Sequence, residues 1–317
     1  MTPAPRTHCH LSYTSAGTRW GGVAPVIIEE VVNQEALHVA RTARPAALGA
    51  WPKIWLWPNL LSLDAPFVAV LWQVLFVRCF HVASDAVTSV LLVTSVWLIY
   101  AADRALDAWR GERSSPRHRF YHAHWRTLLP VWMAVLSASA WLALTELPPA
   151  LLRRGSGLMA VVLIYFALVH GVGRRAPALW SKEASVGLVF ALGASLAAWT
   201  NVRTIADAAA IVLFFVLCWI NCAAIQKWES SDFSGTGLGA MHGNSSAVSF
   251  GAVGVALVAG ALLCMDRPIL GGAELASACA FVWLDRARRR LSPDALRVLA
   301  DVALLSPMVF LPLVRGA

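Results

Sequence analysis

The chain has 317 residues, of which 58% are apolar and only 14% charged. A soluble domain is roughly 25% charged, so a soluble enzyme of this length is excluded for want of polar surface, and disorder is excluded by the hydropathy. The formal net charge of +8 is not a nucleic-acid signature, because the basic residues sit between apolar runs rather than on a stripe with exposed aromatics.

Residues 1–55 carry scattered Pro, Thr, His and Arg and predict a loosely ordered tail, with a short amphipathic stretch near Val26–Val39. Trp51–Pro58 is rich in tryptophan and bracketed by proline, which suits a bilayer interface. No short basic leader followed by an apolar run opens the chain. From there to the end the apolar runs are of near-membrane length. They predict an all-α membrane domain over residues 56–317 with nine spans, at about 63–83, 85–102, 127–147, 156–172, 179–199, 205–226, 246–265, 268–285 and 297–314. A barrel is excluded, since its strands would alternate polar and apolar.

With the N-terminus inside, 20 of the 26 Lys and Arg residues fall in inside segments and 5 in outside ones. The remaining Arg78, like His81, sits near the outer end of the first span and snorkels. That bias predicts a cytoplasmic N-terminus in the inner membrane. Five of the six cysteines lie in apolar runs, and no CxxC pair occurs, so neither a disulfide framework nor a thiolate zinc site is supported.

Two inside loops open with carboxylates. Span two ends in Tyr100-Ala-Ala-Asp103-Arg104-Ala-Leu-Asp107-Ala-Trp-Arg110, and span six in Gln226-Lys227-Trp228-Glu229-Ser-Ser-Asp232. Asp103 and Asp107 share a helix face, as do Glu229 and Asp232. Placement at the same end of helices four spans apart suggests two related four-helix units. Facing carboxylate pairs suit Mg²⁺ completed by substrate phosphates; solvated helix ends balanced by Arg104 and Arg110 are the plain alternative.

His118, His122 and His124 cluster among arginines. The first two have zinc-helix spacing, but Arg119 stands where the zinc-helix glutamate belongs, so a headgroup contact or a basic loop is the better account. The alternating glycines of 234–239 follow no strand and mark a lid or linker, not a nucleotide fold. Asn221 is polar within span six and is expected to face a cavity. Asp301 lies one turn past Arg297, as an intramembrane functional group or as an i, i+4 pair.

These motifs resemble the UbiA prenyltransferase superfamily over about residues 55–315. Asp103-Arg-Ala-Leu-Asp107 resembles the second half of its NDxxDxxxD motif, Glu229-Ser-Ser-Asp232 sits where its DxxxD motif falls, and Ser62-Leu-Asp64-Ala-Pro66 resembles its R-x-D-x-P motif. The resemblance implies nine helices and transfer of a prenyl group from a prenyl diphosphate to a hydrophobic acceptor, often aromatic, with Mg²⁺. Asp103, Asp107, Glu229 and Asp232 would then be catalytic metal ligands. Arg104, Arg110, Lys182 and Tyr100 would face the diphosphate, and Asn221 and Asp64 the cavity. The departures are specific: Ile99-Tyr100 replaces Asn-Asp, Trp228 takes an aspartate position, and Ser62 replaces the arginine. Such a divergent branch also fits a non-catalytic protein that binds a lipid or quinone or serves as an assembly partner. A secondary transporter fits less well, as the acidic pairs lie at one face rather than the midplane.

Overall fold

The computed structural model describes residues 61–83, 85–109, 116–168, 182–233, 245–263 and 267–314, together with 58 and 265. The chain divides at Pro52, and the unit Lys53–Ala317 carries every described element; the N-terminal tail lies outside them. The described elements are helical, with no strand among them. They are α1 (Asp64–Cys79), α2 (Ala86–Trp109), α3 (Pro116–Glu146), α4 (Pro149–Phe166), α5 (Lys182–Ser195), α6 (Ile205–Phe233), α7 (Ser245–Leu263), α8 (Pro268–Ala287), α9 (Pro293–Ala303) and the single turn α10 (Pro307–Phe310). Proline stands at the start of α4, α8, α9 and α10, where its missing N–H costs nothing and its fixed φ suits the helix.

Among the described residues six stretches are long and apolar enough to cross a membrane: Ala86–Asp107, Phe120–Glu146, Pro149–Phe166, Lys182–Asn201, Ile205–Trp228 and Asp294–Leu313. The protein is therefore an all-helical membrane protein. The other three expected spans are helical but fall short of that standard. The 16 residues of α1 rise about 24 Å, below a hydrocarbon core of roughly 30 Å. In α7 the apolar stretch is Val253–Leu263, and α8 carries Glu274 and Asp285 among its buried residues.

Helix ends also shift. Much of the expected loop 103–126 is helix, because α2 runs on to Trp109 and α3 begins at Pro116. Likewise α6 continues to Phe233, through the opening of the expected loop after span six. The last expected span is broken: α9 ends at Ala303 and the chain turns before Pro307 starts α10. α3 is bent where His124 leaves helical geometry (φ −110°, ψ 15°) and again carries Pro130, which cannot donate to the helix ladder.

α1 is the hub, packing against α2, α5, α8 and α9. Its Trp72, Leu75 and Phe76 are fully buried. Trp72 stacks on Phe214 of α6 with ring centroids 4.2 Å apart, and its indole N–H donates to Leu304 O at 2.9 Å. Two close helix contacts depend on glycine. A Cβ at Gly187 of α5 would stand 2.8 Å from the backbone nitrogen of Trp219, and one at Gly271 of α8 would stand 2.8 Å from Ala259 O. Small residues let membrane helices approach backbone to backbone in this way. By contrast, no residue of α3 beyond Tyr121 is buried inside the chain, and Trp141 and Leu144 are each 72% exposed, as suits a helix facing lipid.

Candidate functional site

Five helices surround a cavity of about 180 Å³. α1 contributes Asp64, Ala65 and Val68; α2 contributes Tyr100 and Arg104; α5 contributes Val186, Gly187 and Phe190. Cys218, Asn221, Cys222 and Ile225 come from α6, and Arg297, Asp301 and Leu304 from α9 and the turn after it. The polar groups come from the start of α1, the end of α2, the latter part of α6 and α9. Val68, Phe190, Ile225 and Leu304 supply its apolar lining. Trp72 lies one turn beyond Val68 and Phe214 one turn before Cys218, and both rings are wholly buried.

Arg104 is 6% exposed, so its charge needs a fixed arrangement around it. Its Nη1 donates to Ser62 Oγ at 2.6 Å, and the same hydroxyl meets the Tyr121 hydroxyl at 2.9 Å. Ser62 adopts a left-handed backbone, φ +59°, which a serine enters only at a cost that surrounding bonds offset. The turn is further tied to α2 by the Trp97 indole, which donates to Leu61 O at 3.0 Å. Ser62 thus stands where the resemblance calls for an arginine, and it holds an arginine supplied by α2. On the other wall, Asn221 Nδ2 donates to Asp301 Oδ1 at 3.1 Å, while Asn221 Oδ1 has no hydrogen-bond partner among the described residues.

Of the residues singled out from sequence, Asp64, Tyr100, Arg104 and Asn221 line this one cavity. Tyr100 packs edge-on against Phe190, with centroids 6.4 Å apart. Asp103 and Asp107 are not among the lining residues; both reach Lys182 at the start of α5, with Nζ to carboxylate distances of 4.0 and 3.7 Å. The shared face read from their spacing is therefore real, and the cation it meets is an ammonium. Arg110 lies outside the described residues, as does the His118 side chain, while Glu229 and Asp232 fall on the last turns of α6 with side chains outside them. Trp228, at the position of a motif aspartate, is 5% exposed and packs in the core.

Mg²⁺ needs about six oxygen ligands in near-octahedral array. Among the described residues no group of three His, Cys, Asp or Glu side chains could hold a metal ion. The described donor set is two carboxylates with Lys182 between them, which does not by itself fit the metal.

Three further charged groups stand out in the structure, and of these the sequence reading had not named Glu274. Arg297 and Asp301 line the cavity together with Asp64 and Arg104; their i, i+4 spacing left a local pair and an intramembrane functional group both open, and the tertiary arrangement adds the shared cavity. Glu274 is wholly buried in α8, and neither carboxyl oxygen has a hydrogen-bond partner among the described residues. An acid inside an apolar run was the signal available for it.

At the far end of α6 a separate polar knot is structural. Asp207 is fully buried and accepts from Arg267 Nε at 2.6 Å and from the backbone N–H groups of Arg203 and Thr204 at 3.0 Å each. It caps α6 while tying the start of α8 to it. Arg203 and Arg267, both assigned to outside loops from sequence, meet at this end.

No family model, no curated protein and no solved structure matches the chain.

Proposed function

We propose that the chain is a UbiA-like membrane protein, with nine spans arranged as two related four-helix units and a closing ninth. We propose further that its central cavity binds the polar head of an amphiphilic, prenyl-type molecule. The observation that supports this reading is the meeting of Asp64, Tyr100, Arg104 and Asn221 around one cavity. The first three were chosen by position in or beside the motifs, and the fourth as a polar group inside a span. The cavity has the mixed character such a ligand needs: charged and hydrogen-bonding groups share its lining with Val68, Phe190, Ile225 and Leu304.

Prenyl transfer is the second reading. It rests on the resemblance of Asp103-Arg-Ala-Leu-Asp107 and Glu229-Ser-Ser-Asp232 to aspartate-rich motifs. In that case Arg104 would orient the ligand from its fixed place beside Ser62. The split of Lys and Arg between the loops supports an inner-membrane protein with a cytoplasmic N-terminus.

The test is to purify the full chain in mild detergent and identify any bound amphiphile by native mass spectrometry. Ile225→Trp, which fills the cavity, is expected to lose the bound molecule. Val212→Trp, on an exposed position of the same helix, is expected to keep it. Equal retention by both variants would sink the cavity as the binding site.

A further inference from the structure

Resting on the reading of the cavity as a binding site, we propose a class for its ligand. The cavity takes an amphiphile whose head is uncharged and oxygen-bearing, a carbonyl or hydroxyl on an apolar tail, and it does so without a divalent cation.

The argument is one of charge. Two guanidinium groups, Arg104 and Arg297, and two carboxylates, Asp64 and Asp301, line the same small cavity, so its formal charge is zero. Both arginines are nearly buried, at 6% and 8% exposure, and in such surroundings opposite charges compensate one another far more strongly than in water. A diphosphate brings about three negative charges, and catalytic sites for phosphoryl groups meet that load with Arg, Lys and Mg²⁺ clamps in excess. This cavity has no excess. Its arginines are offset by its own aspartates, and beside it Lys182 is committed to the carboxylates of Asp103 and Asp107. A trianionic head would enter against two cavity carboxylates and a neighbouring acidic pair with a single ammonium.

An uncharged head meets no such barrier. Arg104 is held in place by Ser62, and Asn221 is held by Asp301 with its own carbonyl oxygen unmatched among the described residues. That oxygen can accept from a ligand hydroxyl, while the Tyr100 hydroxyl and the guanidinium groups can donate to a ligand carbonyl or hydroxyl oxygen. The phenyl face of Phe190 and the aliphatic walls accept the start of the tail. The recognition chemistry is common to a long-chain alcohol and a quinone, and the experiment separates them.

The full chain, reconstituted in nanodiscs of phosphatidylcholine, is tested by scintillation proximity. The probes are tritiated farnesol, a tritiated short-chain prenylated benzoquinone, and tritiated farnesyl diphosphate with and without Mg²⁺. We expect farnesol or the quinone to bind at least about tenfold more tightly than the diphosphate, a gap of about 1.4 kcal/mol. Mg²⁺ is expected to leave the diphosphate weak, and Arg104→Gln to weaken the uncharged ligand while Arg126→Gln leaves it unchanged. Asp64→Asn gives the cavity a net positive charge and should raise diphosphate affinity several-fold; Asp301→Asn serves the same purpose if the first variant does not fold. Tightest binding by the Mg²⁺-diphosphate, lost in Arg104→Gln, would overturn the uncharged head and leave the cavity standing. Tightest binding of a zwitterionic lysophosphatidylcholine competitor would do the same. Binding of every probe unaltered by Arg104→Gln, or of none, would overturn the cavity itself.

Discussion

Arg104 and Ser62 are joined by a hydrogen bond of 2.6 Å across 42 positions of sequence, and the serine that accepts it also meets Tyr121 from a third element. Three segments are thereby pinned at one oxygen: the turn before α1, the end of α2 and the first turns of α3. Ser62→Ala removes both bonds and strips a buried guanidinium of one acceptor. It should cost about 1–3 kcal/mol, whereas Tyr121→Phe, which leaves the arginine bond in place, should cost about 0.5–1.5 kcal/mol. Unfolding of each variant by SDS titration in mixed micelles measures the difference, and the reverse order would show that the serine is not the hinge of this network.

Gly187 makes a second prediction. A methyl group there would meet the backbone of Trp219 at 2.8 Å, and backbone cannot swing aside as the tip of a long side chain can. Gly187→Ala should therefore cost about 1–3 kcal/mol by overpacking, despite alanine's better helix propensity. Gly254, with open space around its Cβ position, is the control, and Gly254→Ala should be neutral or mildly stabilising in the same assay.

The Asp207 knot predicts an asymmetry between two variants. Asp207→Ala leaves Arg267 without its 2.6 Å partner and leaves two N–H groups at the start of α6 without their acceptor. Breaking a buried pair from one side typically costs about 3–5 kcal/mol. Asp207→Asn keeps an acceptor oxygen and should lose less. Thermal unfolding followed by cysteine accessibility would distinguish them, and equal losses would mean that the cap, not the charge, is what matters.

Lys182 is 44% exposed, so its contribution to stability is that of a partly solvated pair, within about 1 kcal/mol. Lys182→Met should leave folding nearly intact while leaving Asp103 and Asp107 without that ammonium. Mn²⁺ titration monitored by electron paramagnetic resonance should then detect at least several-fold tighter metal binding than in the wild type. Mn²⁺ binding that is already tight in the wild type would show that the ammonium is not what excludes the metal.

Topology is open to a direct check. Single cysteines placed at 115 and 240, in a background without the natural cysteines, should both resist a membrane-impermeant maleimide applied to intact cells. Cysteines at 203 and 266 should react. Labelling at 115 or 240 would reverse the orientation drawn from the Lys and Arg distribution.

The helices were legible in sequence because hydropathy is a local property: apolar runs bounded by Pro, Gly and charge become membrane helices wherever they fall. Their ends were not, because residues 103–109 and 227–233 are polar and yet continue α2 and α6, their helical register set by what precedes them. Half of the cavity was legible for a different reason. Asp64, Tyr100 and Arg104 stand in or beside a recognisable pattern, and Asn221 is conspicuous inside a span. Arg297 and Asp301 were visible as a pair but not as part of this cavity, and Ser62 was visible only as a departure from the motif: nothing in a serine announces that it will hold an arginine on another helix. The acidic pair Asp103 and Asp107 shows the limit most clearly. Spacing determined that the two carboxylates face the same way, but which cation they would face depended on Lys182, from a helix three spans further on.

The stacked rings of Trp72 and Phe214 stand one helical turn along the chain from Val68 and Cys218 of the cavity lining, with the indole fastened to the backbone of Leu304. Leu304 itself lines the cavity, so the bond couples the core to the cavity wall. A substitution that shifts either ring acts on backbone that forms part of that wall, and a change made wholly in the interior is thereby felt at the cavity.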